Sequence, residues 1–355
     1  MECGFESHLG HHYNIVAIMH TSKQLLSFTK YSDLFPEDPS KAKLLLRRLQ
    51  KEWHPDHNSN TTAHDVFIHI MKLYQMSNPV SYSGPEYTRM DGATARFKSV
   101  CSVVVSFCTV WYSDKNAVLL EFTDDSKFLI EYFKKNIKTV SEYIKSSKKD
   151  KYNFIIPDIY EVKNDNILII KMPDKNFVPL QFVKSYIKQH DDYKLAFWII
   201  SRAFDISMLF DASNLVANGF IIPLCFVDLK EHRMIDLSAY FFASNDKLHA
   251  LDSSQVIFYP QQSLTNKVVD KKADIALVKA FGLKLIGDNA GIGYCYKNPN
   301  YPDQIISFLS NVSFKNKLAS YTDWQTEVSK KSFGKRQFHD LILTFSQLFN
   351  YHNGA

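Results

Sequence analysis

A run of turn-forming residues interrupts the chain at positions 77–85, which read SNPVSYSGP. Two prolines and a glycine so close together cannot continue a helix. The sequence before this run has helical periodicity, whereas the sequence after it is rich in β-branched and aromatic residues. We therefore predict an α+β chain with two domains, at residues 1–80 and 81–355.

Composition places the chain among ordinary globular proteins. Hydrophobic residues make up 45% of the 355 residues and charged residues 22%, and both values are close to globular averages. Glycine contributes only 11 residues, against a usual share of ~7%, which argues against functions that depend on glycine-rich phosphate loops. The formal charge of +5 is too small to require a nucleic-acid partner.

The cysteines and the apolar stretches indicate the compartment. Five cysteines are spread along the chain without a C-x-x-C pair, so the sequence predicts neither a zinc site nor a redox dithiol. No apolar stretch approaches the ~20 residues of a membrane span, and the start of the sequence lacks the pattern of a signal peptide. We therefore expect a cytoplasmic protein with reduced thiols, no bound metal or cofactor, and no membrane contact.

Two amphipathic helices joined by a polar loop are predicted between residues 38 and 76. Asp38 before Pro39 is a typical helix start. The first helix has an apolar stripe formed by Ala42, Leu45, Leu46, Leu49 and Trp53. Its other face is basic, with Lys41, Lys43, Arg47, Arg48 and Lys51. The second helix has a stripe formed by Ala63, Val66, Phe67, Ile70, Leu73 and Tyr74, and the two stripes favour an antiparallel helical hairpin.

The loop of this hairpin contains the tripeptide His54-Pro55-Asp56. With the basic helix before it and the apolar helix after it, the tripeptide resembles the signature of J-domains, the DnaJ-like co-chaperone modules. The resemblance implies docking on a DnaK-type chaperone and stimulation of its ATP hydrolysis, with no catalytic site in the module itself. The docking residues that it implies are His54, Pro55, Asp56, Lys43, Arg47, Arg48 and Lys51. Two residues depart from the family pattern, since Lys51 replaces an often apolar residue and His57 a usual lysine.

The order of predicted elements after residue 90 is strands, one helix, two strands and then a helical half. The strands are expected within Ser99–Tyr112 and at Ala117–Phe122, Phe154–Ile159 and Ile167–Lys171, with helices at Lys127–Lys145 and Leu195–Ala212. This order resembles the two-lobed layout of protein kinases. The resemblance implies a strand-rich lobe at residues 81–178 and a helical lobe at residues 179–355.

The residues that phosphoryl transfer requires are replaced in this comparison. Only Gly92 stands where a glycine-rich loop belongs, and Glu121 replaces the strand lysine. Phe220 replaces the catalytic aspartate and Cys225 the metal-binding asparagine, so Asp236 is the one metal ligand that remains. We therefore predict a pseudokinase that is not an enzyme. Its degenerate site comprises Glu121, Asn218, Phe220, Cys225 and Asp236.

The combination of a J-domain with a degenerate kinase-like domain resembles a group of phage-encoded proteins. Asn218-Gly219-x-x-x-Pro223 is similar to their H-G-x-x-x-P loop, with asparagine in place of histidine. This resemblance implies a protein that acts in the cytoplasm of a bacterial host.

Three functions are compatible with these features. The first is a co-chaperone that recruits a DnaK-type chaperone while the pseudokinase binds a client or partner protein. The second is an interaction protein that captures or diverts the host chaperone or another host factor. The third is a nucleotide-binding pseudokinase with residual kinase activity. A lysine-rich stretch at residues 134–151 raises nucleic-acid binding as a further possibility, but a solvated helix surface is the better interpretation.

Overall fold

The computed structural model describes residues 20–29, 31–36, 39–53, 58, 60–75, 82–293, 300–311, 316–329, 332 and 343–354. The chain divides into two compact units, Met1–Val80 and Ser81–Ala355. The first unit is helical where it is described, and the second combines β-sheets with helices.

The first unit contains four described helices: α1 (Ser22–Ser27), α2 (Tyr31–Leu34), α3 (Pro39–Glu52) and α4 (Ala63–Gln75). A capping box begins α1, because Gln24 N–H donates to Thr21 Oγ1 at 3.3 Å and the Gln24 side chain accepts from Thr21 N–H at 2.9 Å. His69 of α4 lies with its Nε2 atom 2.9 Å from the Phe28 carbonyl oxygen, which ties α4 to the segment after α1.

The core of the first unit lies between α3 and α4, which pack against each other. The predicted stripe of α3 is buried at Ala42, Leu46, Leu49 and Trp53, while Leu45 is only partly buried. The stripe of α4 is buried at Ala63, Val66, Ile70 and Leu73. The two predicted helices and their facing apolar stripes are therefore present in the structure.

The second unit begins with a strand-rich half. A two-stranded hairpin pairs β1 (Tyr82–Thr88) with β2 (Thr94–Ser99). A five-stranded antiparallel sheet has the order β3-β4-β5-β7-β6 and contains β3 (Cys101–Val104), β4 (Cys108–Tyr112), β5 (Ala117–Phe122), β6 (Asp158–Tyr160) and β7 (Ile167–Lys171). The long helix α5 (Leu129–Ser146) lies between β5 and β6 along the chain.

The two faces of the five-stranded sheet contact different clusters. Val118, Leu120 and Phe122 of β5 belong to the main core, which also contains Leu129 and Phe133 of α5. The alternate residues Leu119, Ile167 and Ile169 of the sheet belong to a smaller cluster with Phe97 of β2, and Trp111 is packed against it. Neighbouring residues of a strand point to opposite faces of its sheet. The side chains in the main core are therefore the ones that face the rest of the second unit.

The helical half follows β8 (Phe177–Pro179), which pairs with the hairpin of β9 (Cys225–Asp228) and β10 (Arg233–Asp236). Its described α-helices are α6 (Leu180–His190), α7 (Tyr193–Ala212), α8 (Leu237–Phe242), α9 (Gln261–Asn266), α10 (Ala273–Leu285), α11 (Asp303–Ser310), α12 (Lys317–Asp323) and α13 (Phe345–Gly354). Short 3-10 helices cover Asp150–Ile155, Ile222–Leu224 and Ser253–Phe258, and a π-helical turn covers Trp324–Ser329. None of the described helices combines the length and apolar character needed to cross a membrane.

The predicted element order is confirmed, with one local error. The strands at Ala117–Phe122 and Ile167–Lys171 and the helices near Lys127–Lys145 and Leu195–Ala212 are present. The strand predicted at Phe154–Ile159 is wrong, because a 3-10 helix ends at Ile155 and the strand begins only at Asp158. The Tyr240 hydroxyl donates to the Ile155 carbonyl at 2.9 Å, so a tertiary contact holds this turn where the local pattern favours a strand.

Candidate functional site between the sheet and the helical half

Left-handed backbone conformations mark the segment between α7 and β9. The φ angle is 50° at Asn218 and 74° at Phe220, values that non-glycine residues seldom adopt. Phe220 N–H donates to Asp236 Oδ2 at 2.9 Å, and Ile221 N–H donates to Ser238 Oγ at 2.9 Å. Strained backbone of this kind persists where surrounding contacts fix it, so the residues around Asp236 hold the segment in one shape.

Asp236 is buried at the end of β10 and caps α8. Its Oδ1 atom accepts from Ser238 N–H at 2.9 Å and from the Ser238 hydroxyl, and it lies 3.5 Å from Cys225 Sγ. Burial raises the pKa of the Asp236 carboxyl to about 6, although the hydrogen bonds from Ser238, Phe220 and Cys225 act in the opposite direction. Both of its oxygens are thus engaged by groups of the protein itself.

Phe220 and Cys225 flank Asp236 but supply no acid or base. The Phe220 ring is buried, with its centroid 6.1 Å from that of Phe281 in α10. Burial, together with the nearby Asp236 carboxyl, raises the pKa of the Cys225 thiol well above its usual range. General base catalysis needs a group that accepts a proton near the working pH, and neither side chain meets that requirement.

Asn218 connects the same segment to a buried ion pair. Its N–H donates to Asp274 Oδ1 at 3.3 Å, and the Tyr259 hydroxyl donates to its Oδ1 atom. Asp274 is fully buried, and its Oδ2 atom accepts from Ser207 Oγ and from Lys317 Nζ, each at 2.7 Å. A buried carboxylate is stable only when it is paired and hydrogen-bonded, and Lys317 supplies the counter-charge here.

Gly219 allows α8 to approach this segment closely. A Cβ atom at Gly219 would lie 2.4 Å from the Ala239 backbone nitrogen, a distance that excludes any larger residue without a backbone shift. The Gln255 side-chain amide also donates to the Gly219 carbonyl. The segment is therefore packed against α8 on one side and the 3-10 helix Ser253–Phe258 on another.

Aromatic rings fill the space between the sheet and α8. Phe107, in the turn between β3 and β4, has its ring centroid 5.8 Å from Phe241 and 5.1 Å from Phe242. The rings of Phe122 and Phe133 lie 5.5 and 4.5 Å from that of Phe241. All five rings are buried. The β3–β4 turn thus packs directly onto the helix that follows Asp236.

Two polar contacts join β4 and its turn to the helical half. The Tyr112 hydroxyl donates to the Pro223 carbonyl at 2.7 Å, and the Ser106 hydroxyl donates to Asp252. The Tyr112 ring is buried, with its centroid 6.2 Å from that of Phe226 in β9. The cavity beside Tyr112 has a volume of about 30 Å³, which is room for roughly one or two water molecules and far too little for a nucleotide.

Glu121 does not lie with the other residues of the predicted degenerate site. Its Oε2 atom accepts from Trp111 Nε1 at 3.2 Å, on the sheet face that carries Leu119. The residues of β5 that face the main core are Val118, Leu120 and Phe122. The structure therefore brings together Asn218, Phe220, Cys225 and Asp236 and excludes Glu121, because strand alternation sends its side chain to the opposite face.

The residues predicted to dock a chaperone are only partly described. His54, Pro55 and Asp56 lie outside the described residues. Lys43 and Arg47 belong to α3, although the structure describes only their backbone. Arg48 and Lys51 are exposed on the same helix.

Four residues that the sequence did not single out complete the site. They are Phe107, Tyr112, Asn136 and Lys317. Asn136 of α5 is buried, and its Nδ2 atom donates to the carbonyls of Tyr240 and Ala243, each at 2.9 Å. The one signal in the sequence for these residues was that Asn136 lies among the apolar residues of α5. Within the described part of the chain, no three His, Cys, Asp or Glu side chains are grouped so that they could hold a metal ion.

No protein family and no curated protein matches the sequence. Among solved structures, the chain is similar to vaccinia related kinase 3, with 11% identity, a TM-score of 0.45, and coverage of 70% of this chain and 92% of the other. It is also similar to the BubR1 kinase domain, with 11% identity, a TM-score of 0.44, and coverage of 87% and 97%.

Proposed function

We propose that this protein is a co-chaperone or adaptor in which residues 1–80 dock on a DnaK-type chaperone and residues 81–355 bind a client or partner protein. The second unit is proposed to be a kinase-like domain without phosphoryl-transfer activity. The docking element is His54-Pro55-Asp56 with the basic face of α3. In this role the protein connects a chaperone to its substrate.

The arrangement of the second unit supports a kinase-like architecture. After the β1–β2 hairpin come three strands, the helix α5 and two further strands, and the helical half follows β8. This is the order that the sequence resemblance implies for a kinase. The backbone N–H groups of Asn218 and Phe220 donate to Asp274 and Asp236, and the same resemblance assigns Phe220 to the position of the catalytic aspartate and Asp236 to that of a metal ligand.

One observation supports the proposed absence of phosphoryl transfer: the buried rings of Phe107, Phe122 and Phe241 fill the space between the sheet and α8. Phosphoryl transfer depends on positioning phosphates and metal ions. A space filled by packed rings offers no room for either, because close-packed interiors resist opening. The fold is then available as a binding surface.

A nucleotide titration tests this part of the proposal. We expect the melting temperature of the full chain to stay unchanged with millimolar ATP and Mg²⁺, since a ligand that does not bind the native state cannot stabilise it. A rise of several degrees that is abolished by Asp236→Ala would refute the assignment. Equilibrium dialysis of the wild-type protein with labelled ATP gives the same answer without relying on that variant.

The basic face of α3 supports the docking part. Cationic side chains steer association with an acidic partner surface, and a proline in the loop lowers the ordering cost of presenting its neighbours. Reversing Arg47 and Arg48 to glutamate should slow association with a DnaK-type chaperone, and the difference should shrink as salt is raised. Lys138→Glu, at an exposed position of α5, is the matched control and should leave the rate unchanged. Equal rates for all three proteins would count against docking through α3.

A further inference from the structure

Three lysines of the second unit lie near one another. Lys184 and Lys188 belong to α6 and Lys284 to α10, and we call them the lysine surface. Lys184 and Lys284 are half-buried, whereas Lys188 is exposed. Lys184 Nζ lies 3.3 Å from Asn289 Oδ1, and Lys284 Nζ lies 5.7 Å from the centroid of the Phe258 ring. None of the three lysines forms an ion pair with a described residue.

The carboxylates nearest to Lys284 are occupied by other donors. Asp288 accepts backbone N–H groups from Ala290 at 3.1 Å, Gly291 at 3.2 Å and Gly293 at 2.6 Å. The contacts of Asp252 are of the same kind, because it accepts from the Ser106 hydroxyl and from Ser254 N–H at 2.9 Å. Each acid is therefore engaged in shaping its own loop, and neither pairs directly with a lysine.

This arrangement is unfavourable in the isolated protein. Burial lowers the pKa of Lys184, and the charges of Lys284 and Lys188 lower it further. Burial also lowers the pKa of Lys284, against the attraction of Asp252 and Asp288. Half-buried ammonium groups without a paired anion reduce stability, and groups held at such a cost often belong to binding sites.

Two exposed apolar residues precede Phe258, whose ring lies near Lys284. Val256 is 40% and Ile257 70% exposed on the 3-10 helix Ser253–Phe258. The Phe258 ring of the same helix lies against the Lys284 ammonium group. A partner that supplies acceptors to the lysines could therefore also place an aliphatic side chain on Ile257.

We propose that the lysine surface and the Val256–Ile257 patch form the docking site for an acidic segment of a partner protein, with Asp or Glu side chains on the lysines and an aliphatic side chain on the patch. This inference rests on the proposed role of the second unit as a binding platform. Nucleic acid fits less well, because it needs a longer track of cations and aromatic side chains on which bases stack. Charge complementarity of this kind mainly gives specificity and fast association.

A fluorescent peptide of alternating glutamate and leucine is the probe, titrated into the full-length protein and followed by anisotropy. Lys184→Met and Lys284→Met should each weaken binding by about tenfold or more, the usual effect of losing a charge-assisted hydrogen bond. Lys184→Arg should retain binding, and Lys138→Met, on α5, should match the wild type. The melting temperatures of both methionine variants should be unchanged or higher, because repulsion among the lysines is relieved.

Several results would overturn the inference. The first is that the wild-type protein does not bind the peptide. The second is that it binds a control peptide with glutamine in place of glutamate equally well. The third is that the methionine variants bind the glutamate peptide with the affinity of the wild type. A loss of several degrees in their melting temperatures would instead identify Lys184 and Lys284 as structural residues. Tighter binding of a single-stranded RNA oligomer would also exclude an acidic peptide as the preferred ligand. The assay contains no chaperone and no nucleotide, so its failure is distinguishable from failure of the proposed co-chaperone activity.

Discussion

Asp236 is the residue whose protonation couples the site to pH. Its folded pKa of about 6 lies above the reference value of 3.8, so the folded state binds the proton more tightly than the unfolded state. Stability from this group is then fully present below pH 4 and is lost as the pH rises through 6. The Asp236 carboxyl contributes ~3 kcal/mol at most to the free energy of unfolding.

Asp236→Asn tests this coupling. The asparagine cannot ionise, and the other titrating groups are the same in both proteins. As the pH rises from 4 to 7, the free energy of unfolding of the wild-type protein should therefore fall relative to that of the variant. Chemical denaturation at several pH values measures the difference. A constant gap between the two proteins across this range would show that the Asp236 carboxyl does not titrate differently on folding.

The Lys317–Asp274 pair has a different role at the residue scale. Lys317→Met leaves a fully buried carboxylate without its cation, and we expect a loss of about 3–5 kcal/mol in the free energy of unfolding. Lys127 forms an exposed pair with Asp165 at the same Nζ–oxygen distance of 2.7 Å, so Lys127→Met is the matched control and should leave the free energy of unfolding nearly unchanged. Urea denaturation measures both values, and similar losses would contradict the structural role of the buried pair.

At the scale of elements, β4 holds the sheet and the helical half together. Tyr112→Phe removes the hydrogen bond to the Pro223 carbonyl and leaves that acceptor without its donor. We expect a loss of about 1–3 kcal/mol in the free energy of unfolding. Tyr160→Phe is the control, because Tyr160 is 43% exposed and removal of its hydroxyl should change stability by about 0.5 kcal/mol or less. If both variants unfold at the same urea concentration, the Tyr112 contact does not join the two halves.

Local sequence patterns predicted the helices and strands more accurately than they predicted the contacts between them. The strands Ala117–Phe122 and Ile167–Lys171 have long apolar runs between turn formers, and both ranges are correct. The strand predicted at Phe154–Ile159 was wrong because a hydroxyl 85 residues away holds the turn. Glu121 was placed in the site because the kinase comparison put it in place of the strand lysine, and alternation along β5 does not reveal which face is inward.

The site itself was predicted only in part. Asn218, Phe220, Cys225 and Asp236 lie near one another in sequence, and the structure brings them together. Lys317 could not be found, because 43 residues separate it from Asp274 and no motif contains it. Tyr112 has the appearance of an ordinary strand residue, and only the tertiary contact with Pro223 distinguishes it.

At the scale of the whole molecule, the two units are proposed to divide one task. The helices α3 and α4 form a small core that presents a basic helix surface. The second unit buries the rings of Phe107, Phe122 and Phe241 between the sheet and α8. A chaperone-docking module linked to a binding domain would bring the chaperone to its client at high effective concentration.

Steady-state ATP hydrolysis by a DnaK-type chaperone tests the central claim most directly. The full-length protein should raise the turnover rate, and His54→Gln should abolish the increase while leaving the melting curve unchanged, because a loop residue contributes little to the core. Lys138→Met, on α5 of the second unit, should stimulate as well as the wild type. Full stimulation by His54→Gln, or a turnover rate that the wild-type protein leaves unchanged or lowers, would contradict the co-chaperone account.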